Sequence, residues 1–226
     1  MLERARAAWS RVNALLAGLR LMRDPNRLPD VFVLDRGLPR DVIDRIVDAA
    51  RAHPDGRAAL ERKPRLALDL ERLRPLEPGS FGRAVADFYD ANGLTPSAIP
   101  TLEALDDASF VQAHLYETHD IWHVATGFGS SVAEELGLQA VYAAQIPGRL
   151  APLLIAGGLL QAALFVHDDF AARLAAVVRG YSLGKRSVPL FGVPWDDMWE
   201  LSTDEVRRRL NLAGVEGSLR LELAAA

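Results

Sequence analysis

Leu150-Ala151-Pro152-Leu153-Leu154-Ile155-Ala156-Gly157-Gly158-Leu159-Leu160-Gln161-Ala162-Ala163-Leu164-Phe165-Val166 is the longest uncharged stretch of the 226-residue chain. How it is read decides between a membrane protein and a globular one. A spanning helix needs about 20 predominantly apolar residues; this run has seventeen and is interrupted by Pro152, Gly157, Gly158 and Gln161. It therefore reads as a core helix of a globular fold, with a membrane-touching surface as the alternative. A second apolar helix is expected to follow it, over about 168–180.

Helical periodicity extends outward from this pair in both directions. Towards the N-terminus, helices are expected over Leu2–Met22, Pro39–Ala52, Pro54–Arg62, Phe81–Ala91, a segment starting at Asp106 or Asp107, and a segment from Ser131 to about Gln145. Ser80, Asp106 or Asp107, and Ser131 have side chains suited to capping helix N-termini. Asn92-Gly93, Gly127 and Pro147-Gly148 supply the breaks. A polar helix from Thr203 to Leu212 closes the series, and Trp195 and Trp199 form a packing pair just before it. Val31-Phe32-Val33-Leu34 is the only strand-like run, and period-two alternation is nowhere sustained. The expected fold is all-α, a single-domain helical bundle over residues 1–226 with an apolar helix pair after residue 135. Residues 1–23 form an N-terminal amphipathic helix, 24–212 the core and 213–226 a tail.

Composition narrows the chemistry. Half of the residues are hydrophobic, a quarter are charged and the net charge is −4. Dispersed basic residues in a mildly acidic chain argue against a nucleic-acid binder. The absence of cysteine excludes disulfides, thiolate metal sites and a cysteine nucleophile. Any metal must therefore rest on His and carboxylate ligands. Residues 1–23 are Arg-rich but contain Glu3 in Leu2-Glu3-Arg4, which favours an amphipathic first helix over a transit peptide.

The informative stretch is His119-Asp120-Ile121-Trp122-His123 followed by Val124-Ala125-Thr126-Gly127-Phe128-Gly129-Ser130-Ser131-Val132-Ala133-Glu134-Glu135. On a helix His119, Asp120 and His123 fall within an arc of about 100°, so all three can face one point. Two histidines at i and i+4 are the usual means by which one helix offers two metal nitrogens. If the helix ran on, Glu135 would lie about 18 Å from His123; Gly127 and Gly129 let the chain turn instead. Ser131 and Glu134 form an S-x-x-E capping box, which commits Glu134 to the backbone and leaves Glu135 as the fourth ligand. The Asp after His119 disfavours a metalloprotease of the H-E-x-x-H type. A phosphohydrolase of the HD type lacks convincing further ligands.

With these residues the sequence resembles the fourth of the Coq protein families of ubiquinone (coenzyme Q) biosynthesis, whose signature is H-D-x-x-H, eleven residues, then E. His119, Asp120, His123 and Glu135 match it. Pro78-Gly79-Ser80-Phe81-Gly82-Arg83, Phe88-Tyr89, Asp106-Asp107, Gly184-Lys185-Arg186 and Trp195-Asp196-Asp197-Met198-Trp199 also look like the family. The resemblance covers roughly residues 20–212. It implies a divalent metal, zinc first with iron or cobalt as alternatives, held by His119, Asp120, His123 and Glu135. It implies a polyprenylated aromatic substrate, decarboxylated and hydroxylated at one ring carbon, with Asp120 and His123 as the catalytic residues. The alternative reading is a non-catalytic, lipid-binding scaffold that organises a complex of quinone-biosynthesis enzymes. Either way the expected place is peripheral to a membrane, on the cytoplasmic face of a bacterial inner membrane or the matrix face of a mitochondrial one. Lys185 and Arg186 are candidates for holding a substrate carboxylate or phosphate, and Tyr116 for lying close behind His119. Small residues at Gly157, Gly158, Ala162 and Ala163 leave room for an isoprenoid chain. The apolar helices over 150–178 make a homodimer or another partner plausible.

Overall fold

Helix capping explains most of the element boundaries. The computed structural model describes residues 27–36, 40–98 and 101–213, together with several positions between 13 and 24. In chain order the helices are α1 (Leu28–Arg36), α2 (Arg40–Arg51), α3 (Pro54–Arg62), α4 (Leu70–Leu73), α5 (Phe81–Asn92), α6 (Asp107–Thr126), α7 (Val132–Gln145), α8 (Leu150–Phe165), α9 (Phe170–Arg186) and α10 (Thr203–Arg209). Ser80, Asp106, Ser131 and Ser202 each accept a hydrogen bond from the backbone N–H three residues on, starting α5, α6, α7 and α10. Among the described residues there is no strand, only an isolated antiparallel bridge between Ser80 and Ser202. The fold is all-α, as expected.

One local expectation differs from the structure, and two other boundaries have their own local cause. The strand-like run Val31–Leu34 lies within α1, where Phe32 meets the Tyr116 ring at 5.2 Å. The connector before Ser80 contains the single-turn helix α4, capped by Asp69. Asp169 stands at the N-cap position of α9, but its carboxylate pairs with Arg173 at 2.8 Å instead of capping the backbone. Within the expected N-terminal helix, the described positions Leu16–Gly18 are helical, whereas Leu2, Trp9, Val12, Leu15 and Leu19 lie outside the described residues.

The main core joins α5, α6, α7 and α9 to the Trp195–Trp199 turn. The Phe81 ring stacks between Trp195 and Trp199, at 5.8 Å from each. A smaller cluster around Phe110, Val111 and Phe191 joins α2 and α3 to α6, and Leu115 packs against both clusters. The most extensive helix contact is between α7 and α9. These helices touch through glycine: a Cβ on Gly180 would sit 1.9 Å from the Gly137 carbonyl oxygen, and one on Gly184 would sit 2.9 Å from that of Val141.

The uncharged run forms α8, but not a core helix. Only Ala151, Gln161 and Ala162 of α8 are buried, while Leu153, Leu160 and Leu164 are exposed. α8 packs inward through its small side, so its large side chains remain outside. The room expected beside Gly158 is filled by Leu136, whose Cδ1 would lie 2.6 Å from a Cβ there. Buried Arg173 ties α8 to α9 by donating to the Gly158 carbonyl at 2.8 Å and the Gln161 side chain at 2.6 Å.

His114 is buried between Phe110 and Phe191; its Nε2 accepts from the Gly192 N–H, and its Nδ1 has no partner. Burial pushes its pKa from 6.5 down to about 4. Below pH 6.5 the unfolded chain takes up a proton that the folded one refuses, so stability falls as pH drops from about 6.5 to 4, by up to about 3 kcal/mol. His114→Gln, which keeps an acceptor for Gly192 and cannot titrate, should flatten that acid limb in denaturation curves at several pH values. Gly180→Ala would stabilise an open helix by about 1 kcal/mol. Against the Gly137 carbonyl it should instead cost about 2 kcal/mol or more, read as a fall in melting temperature of roughly 4 °C or more.

Candidate metal centre

One face of α6 and the first turn of α7 converge. His119, Asp120 and His123 each bring a ligand-capable atom within 4.8 Å of the others, a group that could hold a metal ion. Gly127, at φ +74°, ends α6, and the chain turns through Phe128 to the Ser131 cap of α7. That reversal carries Glu135 back: its Oε2 lies 3.1 Å from His123 Nε2 and 3.6 Å from His119 Nε2. Glu134 engages Ser131, with its backbone N–H donating to Ser131 Oγ and its Oε2 accepting from it. The Glu134 carboxylate thus meets the Ser131 hydroxyl and not the backbone N–H that a full capping box would use, while Glu135 faces the histidines.

Each of the four side chains is held from behind. His123 Nδ1 lies 3.2 Å from the Phe128 carbonyl oxygen, which can only accept, so the ring proton is on Nδ1. His123 Nε2 then presents a lone pair towards a carboxylate, an arrangement that requires a proton or a cation between them. His119 Nδ1 lies 3.4 Å from the Tyr142 hydroxyl, Gln139 Nε2 donates to Glu135 Oε1 at 2.8 Å, and the Tyr89 hydroxyl lies near enough to Asp120 to feel its charge. Such outer contacts select the tautomer and orientation that metal ligands need. Arg207, from α10, donates to the Val124 and Ala125 carbonyls at 3.1 Å and holds the end of α6.

The electrostatics agree. Burial opposes charge on His119, but Glu135, by charge and hydrogen bond, and Asp120 outweigh it and hold its pKa above 6.5. Burial likewise favours a neutral Glu135, yet His119 and His123 keep its carboxyl well below 4.5. Burial, reinforced by nearby carboxylates, pushes the Tyr89 and Tyr142 hydroxyls up, so both remain protonated.

Three expected site residues lie elsewhere. The Tyr116 hydroxyl donates to Asp35 at 2.5 Å, because at i−3 from His119 its long side chain reaches across to α1. Lys185 is exposed, and Arg186 donates to the Ala213 carbonyl. Their neighbour Gly184 packs against Val141 and Ala144, six and nine residues beyond Glu135 and hence about 9–14 Å along α7. Sequence reasoning missed Tyr89, the Phe128 carbonyl, Gln139 and Tyr142. Gln139 and Tyr142, at i+4 and i+7 from Glu135, share its helix face and could have been found that way. A backbone carbonyl leaves no such mark.

A profile of the family described as "Coenzyme Q (ubiquinone) biosynthesis protein Coq4" matches residues 8–216. The chain belongs to the Coq4 family. Similar proteins include the mitochondrial ubiquinone biosynthesis protein COQ4 of Yarrowia lipolytica, 30% identical over 166 residues, which are 70% of this chain and 62% of that protein. The mitochondrial COQ4 homologue of Anopheles gambiae is 25% identical over 198 residues, 84% of this chain and 68% of that one. This chain spans about three fifths of the fungal relatives, 62% of the Yarrowia protein and 59% of the Talaromyces stipitatus one. The crystal structure of a putative ubiquinone biosynthesis protein from Nostoc punctiforme superposes with a TM-score of 0.76 at 26% identity, covering 89% of this chain and 98% of that one.

Metal content of freshly purified protein tests the arrangement. Wild type and Glu134→Ala should carry about one ion per chain, and Glu135→Ala almost none. Gln139→Leu should retain the ion but lose it to a competing chelator roughly 10–100-fold more readily.

Proposed function

We propose that this Coq4-family chain is a metal-dependent enzyme of ubiquinone biosynthesis. It removes the carboxylate from the ring of a polyprenylated hydroxybenzoate and hydroxylates the carbon that carried it. The observation that carries this reading is the His123 imidazole, fixed by a carbonyl so that its other nitrogen meets Glu135 across a gap that a proton or a cation must fill. The donor set of two imidazoles and two carboxylates suits zinc first, and iron or cobalt also.

A bound divalent ion supplies a Lewis acid for the substrate carboxylate or phenolate and offsets the negative charge that decarboxylation builds on the ring. The protein does the positioning. His119, His123 and Glu135 form a fixed wall, each oriented by a partner. Asp120, beside the two histidines on the same face of α6, is the carboxylate placed to carry a proton to or from the ring. Tyr142, kept neutral, closes the side next to His119 without adding charge. The ring carboxylate leaves as carbon dioxide with its bonding pair left on the ring, molecular oxygen takes up two electrons and two protons to become hydrogen peroxide, and a water molecule supplies the oxygen of the new hydroxyl. A polyprenylated ring is confined to a bilayer, so the enzyme works at a membrane surface. This accords with the described residues, in which no helix is long and apolar enough to cross one.

The test is turnover of a prenylated hydroxybenzoate under oxygen. His123→Ala should lose both metal and product. Turnover by metal-free protein would defeat the metal-dependent mechanism, and a fully metallated wild type giving no product would favour the scaffold.

A further inference from the structure

Phe88 and Asn92 lie four residues apart and share one face of the last turns of α5. Both lead to the candidate centre. The Phe88 ring lies against the face of the His123 imidazole, with centroids 5.3 Å apart and planes 21° from parallel. Asn92 Nδ2 donates to the Phe88 carbonyl at 2.7 Å, and its Oδ1 accepts from the Ser130 hydroxyl. A carbonyl can only accept, so the amide has one orientation and Ser130 must be the donor.

These contacts close into a circuit. His123 Nδ1 donates to the Phe128 carbonyl, and two residues further on Ser130 donates to Asn92. Asn92 leads back to the Phe88 backbone, and the Phe88 ring covers His123. The imidazole is thereby held in two directions. The Phe128 carbonyl, in line with Nδ1, decides which nitrogen points at Glu135. The Phe88 ring, on the face, resists twisting about the Cβ–Cγ bond, a torsion that is broad for histidine by itself. His119 rests on a different ring, Tyr142 at 5.9 Å, and the two imidazoles stand at 89° to each other.

The adjacent serines have separate tasks. Ser131 caps α7, whereas Ser130 ties the turn to α5. Asn92 and Ser130 are both exposed, where one hydrogen bond adds little to overall stability. Its effect is local. It places the chain between Phe128 and Ser131, and from that placement follow both the carbonyl that His123 meets and the first turn that carries Glu135.

We propose that Asn92 is a positioning residue of the candidate centre. Through Ser130 and Phe88 it holds the His123 tautomer and ring plane and the approach of Glu135, without touching an ion or a substrate. Its consequence for ion binding rests on the metal-dependent reading of the site.

Cobalt(II) titration followed by visible absorption tests the circuit. Asn92→Ala and Ser130→Ala should each bind cobalt(II) roughly 10–100-fold more weakly than wild type. Their metal-free melting temperatures should stay within about 2 °C of it. Both variants break one link, so the double variant should be no weaker than either single one. Phe88→Leu should shift the cobalt absorption bands, and Phe88→Tyr, which keeps a ring, should restore them. Unchanged affinity in the single variants, additive losses in the double, or losses that track a fall in melting temperature would overturn the proposal. Imidazole nitrogen NMR of metal-free protein at mildly alkaline pH supplies a second arm. His123 should carry its proton on Nδ1 in wild type and on either nitrogen in Asn92→Ala; the same tautomer in both would also overturn the proposal. A wild type that shows this tautomer difference but binds no cobalt(II) would defeat the metal-dependent reading and support the positioning role of Asn92.

Discussion

Phe128 is the residue on which the site is built. Its carbonyl accepts from His123 and so fixes which imidazole nitrogen is free. Its ring fills the space a side chain at Gly137 would need, where a Cβ would lie 2.3 Å from the ring carbon Cε1, and Arg179 covers it at 4.0 Å from the centroid. One residue therefore sets a tautomer through its backbone and the spacing of α6, α7 and α9 through its ring. The turn it occupies is short because Gly127 takes a left-handed conformation that a branched side chain would resist. Glu135 reaches the histidines only because this turn is tight.

Much of this was legible in the sequence, for identifiable reasons. Caps are local chemistry, so Ser80, Asp106 and Ser131 announced where α5, α6 and α7 begin. The division between Glu134 and Glu135 followed from the same logic, since the capping serine engages one carboxylate and spares its neighbour. Tyr89 was not legible as part of the site, because its role depends on how α5 packs against α6 across a long stretch of sequence. Tyr116 was misplaced for the same reason: helical spacing put it near His119, but only tertiary packing shows that Asp35 is closer to its hydroxyl. The burial of α8 was overestimated because hydrophobicity records what a segment can cover, not whether this chain alone covers it.

The centre combines local and distant support in a way that suits polar chemistry inside a helical core. His119, Asp120 and His123 are ordered by a single helix, and Glu135 by the next, so the four groups need little long-range agreement to meet. Their orientation does need it. Tyr89 comes from α5, while Gln139 and Tyr142 come from later turns of α7. Both tyrosines stay neutral at any physiological pH, so they can steer carboxylate and imidazole without competing for a cation.

The clasp of Arg207 on Val124 and Ala125 has a temporal side. The arginine lies 82 residues after Ala125. At a ribosomal rate of about 5–20 residues per second, the two are separated by roughly 4–16 s of synthesis. During that interval the candidate ligands on α6 and α7 have already been made, but the last turn of α6 lacks its clasp. The nascent chain therefore passes through a stage in which all four side chains exist and their geometry is incomplete. The final arrangement of the candidate site waits for α10.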